Sequence, residues 1–275
     1  MTRAPTHAWA WAFALIAGVL PSCASLDGFL YAPTRTDHYA LADATVPAAQ
    51  RTVVRFPAAD GTMLAGVLAL QGDSTHAATL LYSHGNSDDI DYYWSRASLL
   101  WSFGFNVFVY DYRGYGTSDG SPSEQGLYAD AQGALAFLKS RGDIDPARIA
   151  YYGYSLGGAV AIDLATRSHP RALVTESAFA SVAELVEDGS LAVPPSFVAS
   201  AKFDNLDKIG DAGAPVLLMH GNADTFIQPK YAHELYDRAA QPKRLELFDG
   251  ATHDTVPYVD PTRYHDVVTS FLAGV

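Results

Sequence analysis

The chain has 275 residues and a formal net charge of −12, from 30 acidic against 18 basic side chains. That balance opposes binding to nucleic-acid phosphates, and no basic stripe reverses it. Apolar residues make up 49% and charged residues 17%, enough for one large domain with a sizeable core and too rich for wholesale disorder. The single cysteine, Cys23, rules out an intrachain disulfide and a cysteine metal cluster.

At the start of the chain, Arg3, an apolar run over 8–20 and the small residue Ser22 follow the order of a secretory signal: charged head, apolar segment, cleavage region. The run is shorter than the roughly 20 apolar residues that cross a bilayer. Leu20-Pro21-Ser22-Cys23 resembles the bacterial lipobox, in which the signal is cut before a cysteine that carries lipid chains. A plain signal or anchor with an incidental cysteine is the competing reading. The expectation is a signal over 1–22, lipidation of Cys23, and attachment to a membrane of the bacterial cell envelope. Residues 23–50 lack clear periodicity and read as a tether or N-terminal arm.

Residues 51–275 read as one domain. Runs over 52–56 and 63–70 flank Asp60-Gly61, the pattern of a β-hairpin. Apolar strand-like runs then recur at 79–83, 106–110, 148–153, 172–175, 215–219 and 244–248, separated by helix-length segments. This predicts an α/β fold: a mostly parallel eight-stranded sheet with helices on both faces and right-handed crossovers. Between 178 and 213 the spacing stretches around Pro194-Pro195, with Phe179, Leu185, Leu191, Phe197 and Phe203 nearby. A short lid is expected there, although Val182, Leu185 and Val186 are spaced as any buried helix face is.

The chemistry centres on Gly153-Tyr154-Ser155-Leu156-Gly157, which follows a strand and opens an Ala-rich helical segment. Glycines at those positions allow a tight strand-to-helix turn that lifts the serine hydroxyl above the sheet. A hydroxyl needs a base to take its proton. His253, just after the last strand-like run, is the best candidate; His233 and His265 lie in helical segments, and His84 and His220 precede glycines at strand ends. The imidazole in turn needs a carboxylate at another strand end. Asp224, in His220-Gly221-Asn222-Ala223-Asp224, fits chain order and loop position, with Glu176 as its rival. Backbone N–H groups of Leu156 and of the loop His84-Gly85-Asn86-Ser87 are the candidate oxyanion hole, with Asn86 favoured over Ser87.

Together with Asp111-Tyr112-Arg113-Gly114-Tyr115-Gly116 and Gly250-Ala251-Thr252-His253, these motifs resemble the Bem46 and serine aminopeptidase-like branch of the α/β-hydrolases, from about Arg51 to the end. The resemblance implies an α/β-hydrolase fold and esterase, acyl-thioesterase or peptidase activity on a small-molecule ester or acyl substrate. The expected reaction is cleavage of a carboxylic ester or thioester through an acyl-enzyme. An aminopeptidase or amidase is the alternative, as is a non-catalytic module on the same scaffold. No metal or other cofactor has sequence support. The loop after Asn86 departs in its acidity, with Asp88, Asp89 and Asp91 either disfavouring anionic substrates or merely solvating a loop.

Overall fold

The computed structural model describes residues 30–191 and 202–274. The expected signal, Cys23, and the Pro194-Pro195 and Phe197 portion of the expected lid lie outside the described residues. Eight strands build the central sheet: β1 (Arg51–Pro57), β2 (Met63–Ala69), β3 (Thr79–Ser83), β4 (Asn106–Tyr110), β5 (Ile149–Tyr154), β6 (Leu173–Glu176), β7 (Val216–Gly221) and β8 (Lys243–Phe248). Their order across the sheet is β8-β7-β6-β5-β3-β4-β2-β1. β2 runs antiparallel to both its neighbours, and the other pairings are parallel. The β1-β2 hairpin closes where expected, with Gly61 at φ 90° and the Asp60 carboxylate accepting from the Thr62 amide.

Continuous apolar strands follow from helices on both faces, and alternate residues divide accordingly. Phe108, Leu81 and Leu218 pack on one side beneath α2 (Glu124–Lys139), α3 (Leu156–Arg167) and α6 (Lys230–Arg238). Val107, Leu80 and Leu217 pack on the other beneath α1 (Ile90–Ser102), the short α7 (Val256–Val259) and α8 (Pro261–Ala273). The helix starts are written locally. Asp89 caps α1 by accepting from the Asp91 amide, Ser123 caps α2 from Gly126, and Asp260 caps α8 from Arg263, with Pro261 in its first turn.

Short helices α4 (Val182–Glu187) and α5 (Leu206–Ile209) flank the expected lid. Their apolar residues belong to the body: Val182, Leu185, Phe203 and Ile209 are all buried in the core beside α3. The described flanks of that segment therefore pack as ordinary core.

Residues 30–50, expected as part of a tether or arm, lie on the domain. Leu30, Tyr31, Leu41 and Val46 are buried, and Ala32–Pro33 pairs in parallel with Ser87–Asp88. The acidic loop is the anchor. The Asp91 carboxylate accepts from the amides of Ala40 and Leu41 at 2.8 and 2.7 Å, and Asp88 accepts from Thr34 at 3.0 Å. The acidity of Asp88, Asp89 and Asp91 thus caps a helix and docks the arm.

Candidate active site

In a sheet of this order the crossover direction reverses at β3 and β5, and ligands bind beyond the carboxyl ends of the strands at such a switch point. Ser155 sits there, between β5 and α3, at φ 53° and ψ −118°. Such a conformation costs a non-glycine residue roughly 1–3 kcal/mol and persists only where its surroundings fix it. Here the Ser155 amide donates to the Glu176 carbonyl at 2.9 Å, and the Ser155 carbonyl accepts from the Gly158 amide at 2.9 Å. A Cβ on Gly157 would overlap the Ser83 carbonyl oxygen and come within 2.6 Å of the His84 carbonyl oxygen. A Cβ on Gly153 would overlap the Gly157 carbonyl. The turn is compact because glycine stands at both positions.

The loops after β7 and β8 bring the other two side chains over. They run so close that a Cβ on Gly221 would overlap the Ala251 carbonyl, and the Ala223 amide donates to that same carbonyl at 3.0 Å. His253 Nε2 lies 3.0 Å from Ser155 Oγ, and its Nδ1 lies 2.8 Å from Asp224 Oδ2. With the proton on Nδ1, the imidazole donates to the carboxylate and accepts from the serine hydroxyl.

Asp224 is buried and well supplied with donors. Oδ1 accepts from the amides of Phe226 and Ile227, both at 2.9 Å. His220 Nε2 donates to the Ile227 carbonyl at 2.8 Å and lies 3.3 Å from Asp224 Oδ2. Burial raises the carboxyl, but hydrogen bonds from His220 and His253, with the charge of His253 and the Ile227 amide, outweigh it. The net effect holds Asp224 well below the usual carboxylate range.

Glu176, the sequence rival, is committed elsewhere. Its buried carboxylate pairs with Arg96 and accepts from the hydroxyls of Tyr152 and Tyr264, the latter at 3.1 Å. Arg96 reaches on to the Asp254 carbonyl at 3.1 Å and stacks over the Tyr154 ring at 4.3 Å. Tyr154 donates to the Asp254 carboxylate, and Ser177 Oγ donates to the His253 carbonyl at 3.1 Å. Arg96, Tyr154 and Ser177 therefore hold the histidine loop, a role sequence reading missed. Only the position of Tyr154 inside the serine motif offered a signal for it.

Asn86 and Leu156 both line the space next to Ser155. Asn86 is held through its carbonyl, which accepts from the Ala32 amide at 2.9 Å and the Tyr115 hydroxyl at 2.7 Å. Beneath it His84 is buried between the rings of Tyr93 and Tyr112, at 4.8 and 4.4 Å. Its Nε2 lies 3.3 Å from Asp111 Oδ1. Gly116, at φ 46°, leaves room for that carboxylate, which a Cβ would overlap. Glycine at 116 is thus a packing requirement beneath the loop that carries Asn86. Of the other histidines, His233 is exposed and His265 pairs with Asp266, both away from the serine. Among the described residues no group of side chains is arranged to hold a metal ion, and no helix is long and apolar enough to cross a membrane.

A parallel sheet with one antiparallel strand, a serine on the tight turn after β5, and a histidine after the last strand define an α/β-hydrolase. The chain belongs to the hydrolase family described as serine aminopeptidase, S33, whose model matches residues 74–206 and 204–257. It is 35% identical over 231 residues to an uncharacterized Mycobacterium tuberculosis protein, Rv2307c, covering 84% of this chain and 82% of that one. It is 36% identical over 208 residues to the uncharacterized Escherichia coli protein YfhR, covering 73% of this chain and 72% of that one. Among solved structures, the Pyrococcus furiosus esterase Pf2001 superposes with a TM-score of 0.71 at 20% identity, covering 89% of this chain and 98% of that one. At that identity the likeness speaks for the fold alone.

Proposed function

We propose that this hydrolase cleaves carboxylic esters or thioesters through an acyl-enzyme, with Ser155 as nucleophile, His253 as general base and Asp224 as the orienting acid. The observation that carries this reading is the relay of 3.0 and 2.8 Å from Ser155 through His253 to Asp224. In the first half-reaction Ser155 Oγ bonds to the acyl carbon while its proton passes to His253 Nε2. The carbonyl oxygen takes negative charge beside the amides of Leu156 and Asn86, which serve as the oxyanion hole. The bond from the acyl carbon to the leaving oxygen or sulfur then breaks, and the imidazolium returns its proton to that atom. Water repeats the sequence on the acyl-serine, releasing the acid and restoring Ser155.

An N-terminal amidase is the second reading, favoured by the name of the matching family model. The direct test is Ser155→Ala against wild type, with labelling by a fluorophosphonate and turnover of ester and aminoacyl-amide substrates. Loss of both labelling and turnover in a folded variant is expected. Persistent labelling moves the nucleophile elsewhere, and an unlabelled wild type leaves a non-catalytic module. For the chain's first residues the proposal is export and anchoring to the bacterial envelope through lipid on Cys23.

A further inference from the structure

Two spaces of different chemistry meet at Ser155. One is a small apolar slot of about 30 Å³ walled by Leu30, Leu156, Phe179, Leu185, Leu191 and Ile227. The other is a cavity of about 190 Å³ that reaches His253 and Asp254 and is lined by Tyr92, Tyr93 and Tyr154. Those three tyrosines and Asp254 also line a further cavity of about 220 Å³, which adds Arg96 and Tyr258. The wide space is thus a two-part chamber ringed by tyrosines.

Reaction geometry assigns the two. The leaving group must end where His253 Nε2 can return a proton to it, so it belongs in the chamber, which contains His253. The slot touches Ser155, Leu156 and Asn86 but not His253, so it takes the acyl group when the carbonyl oxygen faces the Leu156 and Asn86 amides. At about 30 Å³ the slot is far smaller than the 190 Å³ cavity beside His253, so it takes the smaller of the two groups.

The chamber's chemistry narrows the leaving group. Tyr92 and Tyr258 are 56% and 50% exposed, large rings at the rim with about half their surface open to a stacking partner. Arg96 is not free to bind an anion, because Glu176 and the Asp254 carbonyl occupy its guanidinium. The carboxylate of Asp254 is exposed on the chamber wall. After burial, Asp254 and Asp88 are the next causes that push the Tyr92 hydroxyl up, a sign of their negative field there. Anionic leaving groups meet that field without a free cation among the described residues that line the chamber.

Resting on the esterase reading above, we infer that the substrates are short-acyl esters, acetyl to propionyl, of an uncharged or cationic ring-bearing alcohol. The alcohol ring stacks on Tyr92 and Tyr258, and the acyl group sits against Leu185 and Leu191. The bond broken is the one from the acyl carbon to the alcohol oxygen, and that oxygen takes its proton from His253.

The test compares kcat/KM of the purified full chain on benzyl acetate, ethyl acetate and benzyl hexanoate, alongside fluorophosphonate labelling of Ser155. Burying a phenyl ring predicts benzyl acetate above ethyl acetate by roughly tenfold or more, although the two alcohols are similar in acidity. Benzyl hexanoate should fall below benzyl acetate by a comparable factor. Tyr92→Ala and Tyr258→Ala should each lower the benzyl-to-ethyl ratio by roughly two- to tenfold, the range for loss of one ring contact. Leu191→Ala, at a half-buried position on the slot wall, should raise the hexanoate-to-acetate ratio. Labelling of Ser155 with equal rates on the two acetates, or with hexanoate preferred, overturns this inference alone, whereas labelling with no ester cleaved also counts against the esterase reading. Absence of labelling overturns the esterase reading beneath it as well.

Discussion

Replacing Asp224 with asparagine keeps the shape of the side chain but changes what faces the imidazole. Asp224 Oδ2 lies 2.8 Å from His253 Nδ1 and 3.3 Å from His220 Nε2, so an amide nitrogen there sets donor against donor. An amide oxygen there can still accept, but no longer balances the charge of a protonated ring. Because the Phe226 and Ile227 amides hold the oxygen at the Oδ1 position, the nitrogen faces His253, the imidazole favours the tautomer with its proton on Nε2, which cannot accept from Ser155, and turnover falls by roughly 10⁴ by analogy with serine proteases. Glu176→Gln perturbs something else. It leaves the buried Arg96 without its counter-charge, a change that typically costs about 3–5 kcal/mol. For a domain of this size that lowers Tm by roughly 6–20 °C, while kcat per folded molecule stays within about tenfold. The assay is kcat on one ester at one pH, below both melting temperatures, with thermal unfolding of each variant. A folded Glu176→Gln enzyme losing roughly 10⁴ in kcat while Asp224→Asn stays near wild type would falsify the assignment and make Glu176 the orienting acid.

Three further outcomes follow from the geometry. Gly157→Ala drives a methyl group into the Ser83 carbonyl, and because backbone lies on both sides it should destabilise by about 3 kcal/mol or more, read as a lower denaturation midpoint. Because Asp224 is held below the usual carboxylate range, its ionised form stabilises the fold fully above the unfolded value of about 3.9, and that contribution is lost only as pH falls through the lower folded value. The gap in denaturation midpoint between wild type and Asp224→Asn should therefore stay constant from about pH 7 to pH 5 and narrow below about pH 4; a gap already closing near pH 6 contradicts the depressed carboxyl. Cys23→Ser should lose acyl labelling in a bacterial host and leave the membrane fraction, and mass spectrometry finding no lipid on wild-type Cys23 removes the anchor.

How much of this was legible in the sequence depended on how local each signal is. The strand runs were readable because helices cover both faces of the sheet, so the inner strands β3 to β7 are buried throughout, and the observed boundaries differ from those expected by only a residue or two. Ser155, Asp224 and His253 were findable because a parallel sheet delivers every loop after a strand to one edge, so chain order alone brings them together. Interactions between distant residues left no such trace. Nothing in Arg96 or Glu176 announces that side chains 80 positions apart will pair beneath the histidine loop. From the sequence alone Glu176 is a rival orienting acid, whereas in the fold its carboxylate faces Arg96. The same limit explains the arm. Residues 30–50 carry no periodicity because they form almost no regular structure of their own, and their amides and apolar side chains are satisfied by the acidic loop and the core. That docking has a functional consequence, since the Ala32 amide holds the Asn86 carbonyl and Leu30 walls the slot beside Ser155. The segment that reads as a tether in isolation is, in its described part, a wall of the candidate active site.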